Sequence, residues 1–391
     1  MEQHTADANH VASNTRWTLE AATIVDLAVG SAVLGTGGGG DPHIGALMAL
    51  DAVALHCPAT VIPASDLADD AVVAIVNMSG APTVMTEKIP NGGEIERVLR
   101  CVAEFAGRPV DAIISVEIGG MNSVIPVVAA VRNGLPLVDA DGMGRAFPEF
   151  QITAFNAGGV HFGPRFVTDE KGNVLRIDAI DAEWIERINR RALIAMGGSV
   201  ITALGLTGAD VKRTAIHGTI SLAVAIGAAL RQARSGSSGW LDQLRQVVDA
   251  LPLFTGKVAS VDRRTEGGWT RGYAIVAGLA SDHERSLRID FQNEHLLARH
   301  YIRGVLDRIL ATTPDLIVVL DSETGTPITT EGLHYGQRVT VLGLPSPSIW
   351  RTPRGLELAG PKHFGFKLDY VPLEERVAAF AISTGDTGVT R

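Results

Sequence analysis

The sequence predicts an α/β protein in which an N-terminal, mostly parallel sheet with helices is followed by helices and a β-rich second domain. Two patterns indicate this class. Strand-like and helix-like segments alternate between residues 60 and 140, which is typical of parallel strands joined by helices. From residue 257 onward, short strand-like segments separated by turn signals dominate. The chain has 391 residues, more than one hydrophobic core usually holds, so two domains are expected.

The first predicted helices flank a glycine-rich loop. Apolar spacing predicts a helix over residues 18–34, which Gly35 ends. The loop Gly35-Thr-Gly-Gly-Gly-Gly40 follows, and Asp41-Pro42 then combines an N-cap residue with a proline at the first helical position. A second helix is therefore expected from there to about Leu55.

The alternating region supplies the predicted parallel sheet. Its apolar runs predict strands at 60–63, 71–78, 112–118 and 136–140, and its helices are expected at 93–106 and 123–132.

Beyond residue 149 the pattern changes. We expect a hairpin (165–168 and 174–178), helices (182–196, 216–234 and 240–250) and strands (257–261, 271–279, 286–291, 316–320 and 337–342). This suggests a tail over residues 1–13, an α/β domain over 14–180 and a second domain over 181–391. The border could also fall near Leu251, because the intervening helices could pack with either unit.

Composition excludes several classes of function. The formal net charge is −9 and basic residues are scattered, which argues against nucleic-acid binding. No apolar run of about 18 residues predicts a membrane span. The N-terminus lacks the charged start and apolar centre of a signal peptide, so a cytoplasmic protein is expected. We expect it to act on a small molecule as a homo-oligomer.

Three predicted strands end in polar residues and glycines. These ends are Asn77–Gly80, Glu117–Gly120 with Asn122 following, and Asp139–Gly142. Ligands gather at the carboxyl ends of parallel strands, so Glu117 is a candidate catalytic residue and Gly119, Gly120 and Asn122 are candidate substrate-binding residues.

Asp139 and Asp141 are the other catalytic candidates. They lie two apart, so both side chains leave one face if the strand continues. Close carboxylates shift each other's pKa or bind a cation, which suits acid–base work or water activation. The alternative is that either one caps the turn at Gly142. Arg145 could form an ion pair with Glu149 or bind a substrate carboxylate, and the sequence favours neither.

The glycine loop and two histidines complete the candidates. Gly38, Gly39 and Gly40 offer N–H groups beside a helix N-terminus, a geometry suited to an anion or a carbonyl oxygen, although a tight helix–helix turn is the alternative. No lysine follows as in a P-loop, and a helix precedes the loop, so no nucleotide cofactor is expected. His43 and His217 with Asp139 are the candidate ligands if a zinc ion is bound, against a structural or surface role for each histidine.

Several motifs together resemble one family. They are Gly35-Thr-Gly-Gly-Gly-Gly-Asp-Pro42, Glu117-Ile-Gly-Gly120, Asp139-Ala-Asp-Gly-Met-Gly-Arg-Ala-Phe-Pro-Glu149, Gln292-Asn-Glu294, Thr330-Glu331-Gly-Leu-His-Tyr-Gly-Gln337 and Trp350-Arg-Thr-Pro353. This pattern is similar to the S-methyl thiohydantoin desulfurase-like family, over about residues 17–372.

The resemblance implies a two-domain hydrolase acting on a hydantoin-like ring, in which water replaces methanethiol to give a hydantoin. Asp139 or Asp141, a zinc ion and Arg145 would then activate water and hold the substrate, and Asp139→Asn would abolish turnover with folding intact. Two other readings stay open: a non-catalytic partner subunit of a hydantoinase or oxoprolinase, and a nucleotide-binding regulator that rests only on the glycine loop.

Overall fold

Two β-sheets organise the chain, with helices between and around them. The structure is a computed structural model, and it describes residues 15–80, 84, 88, 93–235, 239–266 and 269–384. Within those residues, nine strands form the first sheet and seven form the second. The predicted tail over residues 1–13 lies outside the described residues.

The first sheet is parallel in its centre and antiparallel at its edges. Its spatial order is β1-β2-β5-β4-β3-β8-β6-β7, and β9 pairs with β5. Strands β2, β5, β4 and β3 are parallel to one another. The strands are β1 (Trp17–Leu19), β2 (Ala59–Ile62), β3 (Val72–Gly80), β4 (Ala112–Ser115), β5 (Leu137–Asp141), β6 (Arg165–Thr168), β7 (Val174–Ile177), β8 (Ser199–Thr207) and β9 (Ile216–His217).

Helices cover this sheet, and local sequence explains where they begin and end. At α2 the Asp41 carboxylate accepts the His43 N–H at 2.8 Å and Pro42 occupies the first position, as the sequence predicts. The helices are α1 (Ala21–Leu34), α2 (Pro42–Leu55), α3 (Gly93–Ala106), α4 (Ile125–Asn133), α5 (Ala154–Ala157), α6 (Ala182–Ala195), α7 (Gly208–Thr214), α8 (Thr219–Ser235) and α9 (Trp240–Arg245).

Successive residues of the central strands enter two different cores. Ala74 and Val76 of β3 pack with α1, α2 and α4, whereas Val73 and Ile75 pack with the loop after β5 and with Trp350. A strand buried on both faces must be apolar throughout, which explains the near-continuous apolar runs.

The second sheet is antiparallel, in the order β14-β13-β12-β11-β10-β16-β15. One face joins the core around α1 and α8, and the other packs against Leu373. Its strands and the helices after it are β10 (Leu251–Glu266), β11 (Trp269–Ala277), β12 (Arg285–Gln292), β13 (Glu294–Ile302), β14 (Val305–Thr312), β15 (Leu316–Asp321), β16 (Arg338–Leu344), α10 (Pro353–Ala359) and α11 (Leu373–Thr384).

Helices α1 and α8 lie in close contact between the two sheets. A Cβ atom on Gly30 would lie 1.8 Å from the Ala223 oxygen, and one on Gly227 would lie 1.9 Å from the Asp26 oxygen. Only glycine permits this backbone approach. Arg231 adds two hydrogen bonds to the Asp26 carboxylate, at 2.8 and 2.7 Å. This packing fixes the end of α1, where the glycine loop begins.

The predicted α/β class with a β-rich second part is confirmed. The first sheet, however, extends past residue 180, because β8 and β9 belong to it, and the second sheet starts only at Leu251. The predicted bounds of two helices were wrong. Residues 216–217 pair with β5 instead of starting a helix, and the helix predicted over 240–250 ends at Arg245. Among the described residues, none of the helices is both long and apolar enough to cross a bilayer.

Candidate functional site

A small cavity opens where the parallel strands end. Its volume is about 80 Å³, room for roughly six water-sized groups at 10–15 Å³ each. The end of β3, the loops after β4 and β5, the glycine loop, β6, α6 and the turn before β13 all contribute to its wall. The lining residues are Gly39, Gly40, Asn77, Met78, Ser79, Gly80, Val116, Glu117, Asn122, Met143, Phe147, Pro148, Phe150, Arg165, Glu186, Arg190, Asn293 and Glu294.

Glu117 presents a buried carboxyl group to this cavity. Its Oε1 accepts a hydrogen bond from Asn122 Nδ2 at 2.7 Å, and its Oε2 is buried without a hydrogen-bond partner among the described residues. Asn122 is itself held by the main chain of Met78, at 2.8 and 3.1 Å. Burial raises the pKa of Glu117 to about 8, although the hydrogen bonds from Asn122 and the Phe147 main chain act to lower it.

Glu294 supplies a second buried carboxyl group from the start of β13. It is 2% exposed, and its Oε2 also lacks a hydrogen-bond partner within the described part of the chain. Its Oε1 lies against the glycine loop. A Cβ atom added to Gly38 would lie only 2.1 Å from this oxygen. Burial, followed by repulsion from Glu117, raises the pKa of Glu294 well above its usual range.

The carboxyl groups of Glu117 and Glu294 line the same cavity, and repulsion from Glu117 acts on Glu294. Each has one oxygen without a hydrogen-bond partner among the described residues. Buried carboxyls that repel each other hold protons into the neutral range, so one group can donate a proton while the other accepts one.

Arg165 places a positive charge on another part of the wall. Its Nη2 donates to Asn77 Oδ1 at 3.1 Å and to Thr202 Oγ1 at 2.7 Å, and its guanidinium lies 4.3 Å from the centre of the Phe150 ring. Its Nε and Nη1 atoms are buried and have no hydrogen-bond partner among the described residues. Burial lowers the pKa of Arg165 to about 10, which leaves the group charged at neutral pH. Unused donors on a charged guanidinium suit an anionic ligand group.

Arg190 forms the outer part of the same wall. Its Nε donates to Glu186 Oε1 at 2.8 Å, and its guanidinium lies 4.7 Å from the centre of the Trp269 ring. Arg190 and Trp269 both donate to the Pro148 oxygen, at 3.2 and 3.1 Å. The second sheet thus helps to shape the cavity through Trp269.

The structure does not place Asp139 and Asp141 in the cavity wall. Asp139 binds the start of α8, where its carboxylate accepts the Ser221 N–H at 3.0 Å and the Ser221 hydroxyl at 2.5 Å. Asp141 accepts the N–H groups of Ile118, Met143 and Gly144, at 2.8 to 3.0 Å. Burial raises the pKa of Asp141 to about 7, although the hydrogen bonds from these N–H groups act to lower it. Asp141 therefore shapes the turn at Gly142, which was the alternative reading of the sequence.

Arg145 neither pairs with Glu149 nor faces the cavity. It is fully buried, and its donors bind the main-chain oxygens of Ala146, Pro314 and Asp315 and the Thr36 hydroxyl, at 2.6 to 3.1 Å. It thereby joins the loop after β5 to the second sheet. Glu149 instead contacts His363 at 3.2 Å.

The glycine loop is enclosed by both halves of the chain. The Thr36 and Gly37 oxygens accept the N–H groups of His295 and Thr330 at 2.8 Å, and the Gly39 oxygen accepts the Met121 N–H at 2.8 Å. Gly39 and Gly40 line the cavity, whereas Gly119 and Gly120 allow the close approach of the loop rather than lining it. The loop is thus both a tight connection and part of the wall.

The predicted zinc ligands do not fit a metal site. His43 and His217 are exposed, both oxygens of Asp139 are used by Ser221, and His217 Nε2 lies 3.2 Å from the Lys212 oxygen. Across the described ranges, no three His, Cys, Asp or Glu side chains group as metal ligands.

Comparison with known proteins identifies the family. The N-terminal domain model of the S-Me-THD-like family matches residues 22–179, and its C-terminal domain model matches residues 180–373. The chain belongs to the S-Me-THD-like family. A crystal structure of a protein from Chromobacterium violaceum, solved by the Northeast Structural Genomics Consortium, superposes with a TM-score of 0.74 at 22% identity. It covers 92% of this chain and 100% of its own. That likeness concerns the fold alone. No curated protein matches the chain.

Some of the residues that line the cavity of this S-Me-THD-like chain were predicted from the sequence, and others were not. Glu117, Asn122, Gly39 and Gly40 line it as expected, but Glu294 and Arg165 were missed as site residues. Glu294 belongs to a motif that carried the family resemblance, and this was its only sequence signal. Arg165 stands at the start of a predicted strand, where a buried charge has no local signature.

Proposed function

We propose that this protein hydrolyses an S-methylated thiohydantoin, replacing the methylthio group with oxygen to give a hydantoin and methanethiol. The observation that carries the proposal is the pair of buried carboxyls, Glu117 and Glu294, which line one cavity and each have an oxygen without a hydrogen-bond partner among the described residues. Membership of the S-Me-THD-like family supports the substrate class.

The two carboxyls divide the proton transfers between them. Glu117, as the carboxylate, takes one proton from water while the water oxygen bonds to the ring carbon that carries sulfur, and the π electrons of the carbon–nitrogen double bond move onto the ring nitrogen. That electron pair re-forms the double bond as the carbon–sulfur bond breaks. Glu294, as the acid, gives its proton to the sulfur, and methanethiol leaves. The remaining hydroxyl proton moves to the ring nitrogen, which leaves a carbonyl group. Glu294 takes the acid role because Glu117 and its own burial both favour its protonated form.

Other wall residues would orient the ring. Arg165 has two unused donors for a carboxylate substituent on the substrate. Met78, Met143 and Phe147 supply apolar surface for the S-methyl group. Gly39 and Gly40 allow the substrate to approach the main chain closely. No step here passes through a metal ion, because the candidate ligands are not assembled.

The test is release of free thiol from S-methyl thiohydantoin propionate by the purified protein. We expect turnover by the wild type, and losses of about 10²- to 10⁴-fold in kcat for Glu117→Gln and Glu294→Gln. Glu323→Gln is the matched control, because its side chain is 77% exposed between β15 and β16. If the wild type releases no thiol, the proposal is wrong. Copurification with a hydantoinase would then favour the partner-subunit reading.

A further inference from the structure

Asn293 is the single residue between β12 and β13, directly before Glu294, and its backbone is held in a left-handed conformation. Its φ of 57° lies in a region that few residues other than glycine adopt, although asparagine tolerates it better than most. Such a conformation persists only where the surrounding structure imposes it, and it occurs often at functional sites. Neighbouring contacts therefore have to hold Asn293 in place.

Three of the four polar groups of Asn293 are bound within the protein. Its main-chain N–H donates to the Thr270 oxygen at 2.7 Å, and its main-chain oxygen accepts the Thr330 hydroxyl at 2.6 Å. Its side-chain Oδ1 accepts the Thr270 N–H at 2.8 Å. Because the Thr270 N–H requires an acceptor, this bond places the amide oxygen on the Thr270 side and turns Nδ2 away from it.

The Nδ2 atom of Asn293 is the remaining polar group, and it has no hydrogen-bond partner among the described residues. The residue as a whole is 8% exposed, and Nδ2 itself is not enclosed by protein atoms. Asn293 lines the same cavity as Glu117 and Glu294. The two N–H groups of Nδ2 are therefore available to a ligand in that cavity.

The other two asparagines of the cavity wall have already spent their side-chain N–H groups. Asn122 Nδ2 donates to Glu117 Oε1 at 2.7 Å and to the Met78 oxygen at 3.1 Å. Asn77 Nδ2 donates to the Met78 oxygen at 3.4 Å and to a nearby hydroxyl at 3.2 Å. Among the asparagines of the described wall, Asn293 is thus the one that can donate to a substrate without first breaking a contact.

We propose that the Asn293 amide donates a hydrogen bond to the ring nitrogen of the thiohydantoin and stabilises the negative charge that develops there. This role rests on the proposed hydrolysis, in which water adds to the ring carbon and an electron pair moves onto that nitrogen. The hydrogen bond is stronger in the charged transition state than in the bound substrate, so it lowers the barrier more than it tightens binding. Asn293 precedes Glu294 in the chain, so the donor to the nitrogen and the acid for the sulfur reach the cavity together.

Two substitutions of Asn293 test this role, with S-methyl thiohydantoin propionate as substrate and thiol release as the assay. Asn293→Gly keeps the left-handed backbone and removes the whole amide. Asn293→Asp keeps an oxygen for the Thr270 N–H but places a second oxygen where the N–H groups were. Both should lower kcat about 10²- to 10³-fold and change KM less than about threefold. Asn133→Asp, exposed at the end of α4 and not part of the cavity wall, is the matched control and should keep the wild-type rate.

A residue that only holds the chain in place between β12 and β13 gives a different pattern. Asn293→Asp would then turn over at close to the wild-type rate, because the Thr270 contact survives, and that result would overturn the proposal. So would a wild-type kcat in Asn293→Gly, with circular dichroism to check the fold. If the glycine variant does not fold, the rate of Asn293→Asp decides alone. A wild type that releases no thiol instead overturns the hydrolysis, and the role of Asn293 with it.

Discussion

Replacing Glu117 by glutamine should give a protein whose stability relative to the wild type increases as the pH rises. The substitution keeps the size of the side chain and an oxygen that accepts the Asn122 N–H. Burial raises the pKa of Glu117 from 4.5 to about 8 in the folded chain. Between these values the unfolded chain has lost its proton and the folded chain keeps it. The contribution of Glu117 to stability is therefore fully present below pH 4.5 and is lost as the pH rises toward 8.

The size of the effect follows from this span. Each pH unit within it costs the wild type about 1.4 kcal/mol relative to the variant, so the whole span corresponds to at most about 5 kcal/mol. We expect the free energy of unfolding of Glu117→Gln to gain about 2 to 4 kcal/mol on the wild type between about pH 5 and about pH 8.

Urea denaturation at several pH values, followed by circular dichroism, measures this difference. Glu323→Gln, exposed and not part of the cavity wall, should run parallel to the wild type. A difference between Glu117→Gln and wild type that stays constant with pH would refute the reasoning, because Glu117 would then titrate alike in the folded and unfolded chains.

Three other substitutions separate binding, stability and chemistry. Arg165→Met should raise KM for S-methyl thiohydantoin propionate about 10- to 100-fold and leave KM for a ring without the carboxylate unchanged, as measured by thiol release. Asp139→Asn should lower the free energy of unfolding by about 1 kcal/mol through the weakened Ser221 contacts. Its kcat should stay near wild type, the opposite of what the sequence alone suggests. Arg145→Met should cost about 3 kcal/mol or more in urea denaturation, because buried oxygens at Pro314 and Asp315 lose their donor.

Local patterns predicted most of the first sheet and little of its edges. The runs that became β3, β4 and β5 are apolar because both of their faces are buried, and this feature is visible in the sequence. Strand β8 was missed, although its nine residues pair antiparallel with the whole of β3. Its partner lies more than a hundred residues away, and that pairing leaves no local signature.

The candidate site was predictable only where one strand end supplied it. Glu117 and Asn122 follow β4 directly, so the rule for parallel sheets brought them to the cavity. Glu294 comes from the second sheet and Arg165 from an antiparallel edge, and no spacing connects either to β4. Asp139 lies outside the cavity wall because α8 begins beside it and uses its carboxylate, which the sequence could not show.

Thiol release as a function of pH tests the central claim most directly. The account predicts that the purified wild type frees methanethiol from S-methyl thiohydantoin propionate. The rate should rise with pH toward about 8, where Glu117 becomes the carboxylate that accepts the water proton. In Glu117→Gln the rate should fall about 10²-fold or more and lose that rise. A Glu117→Gln variant with wild-type rate and pH dependence would contradict the account.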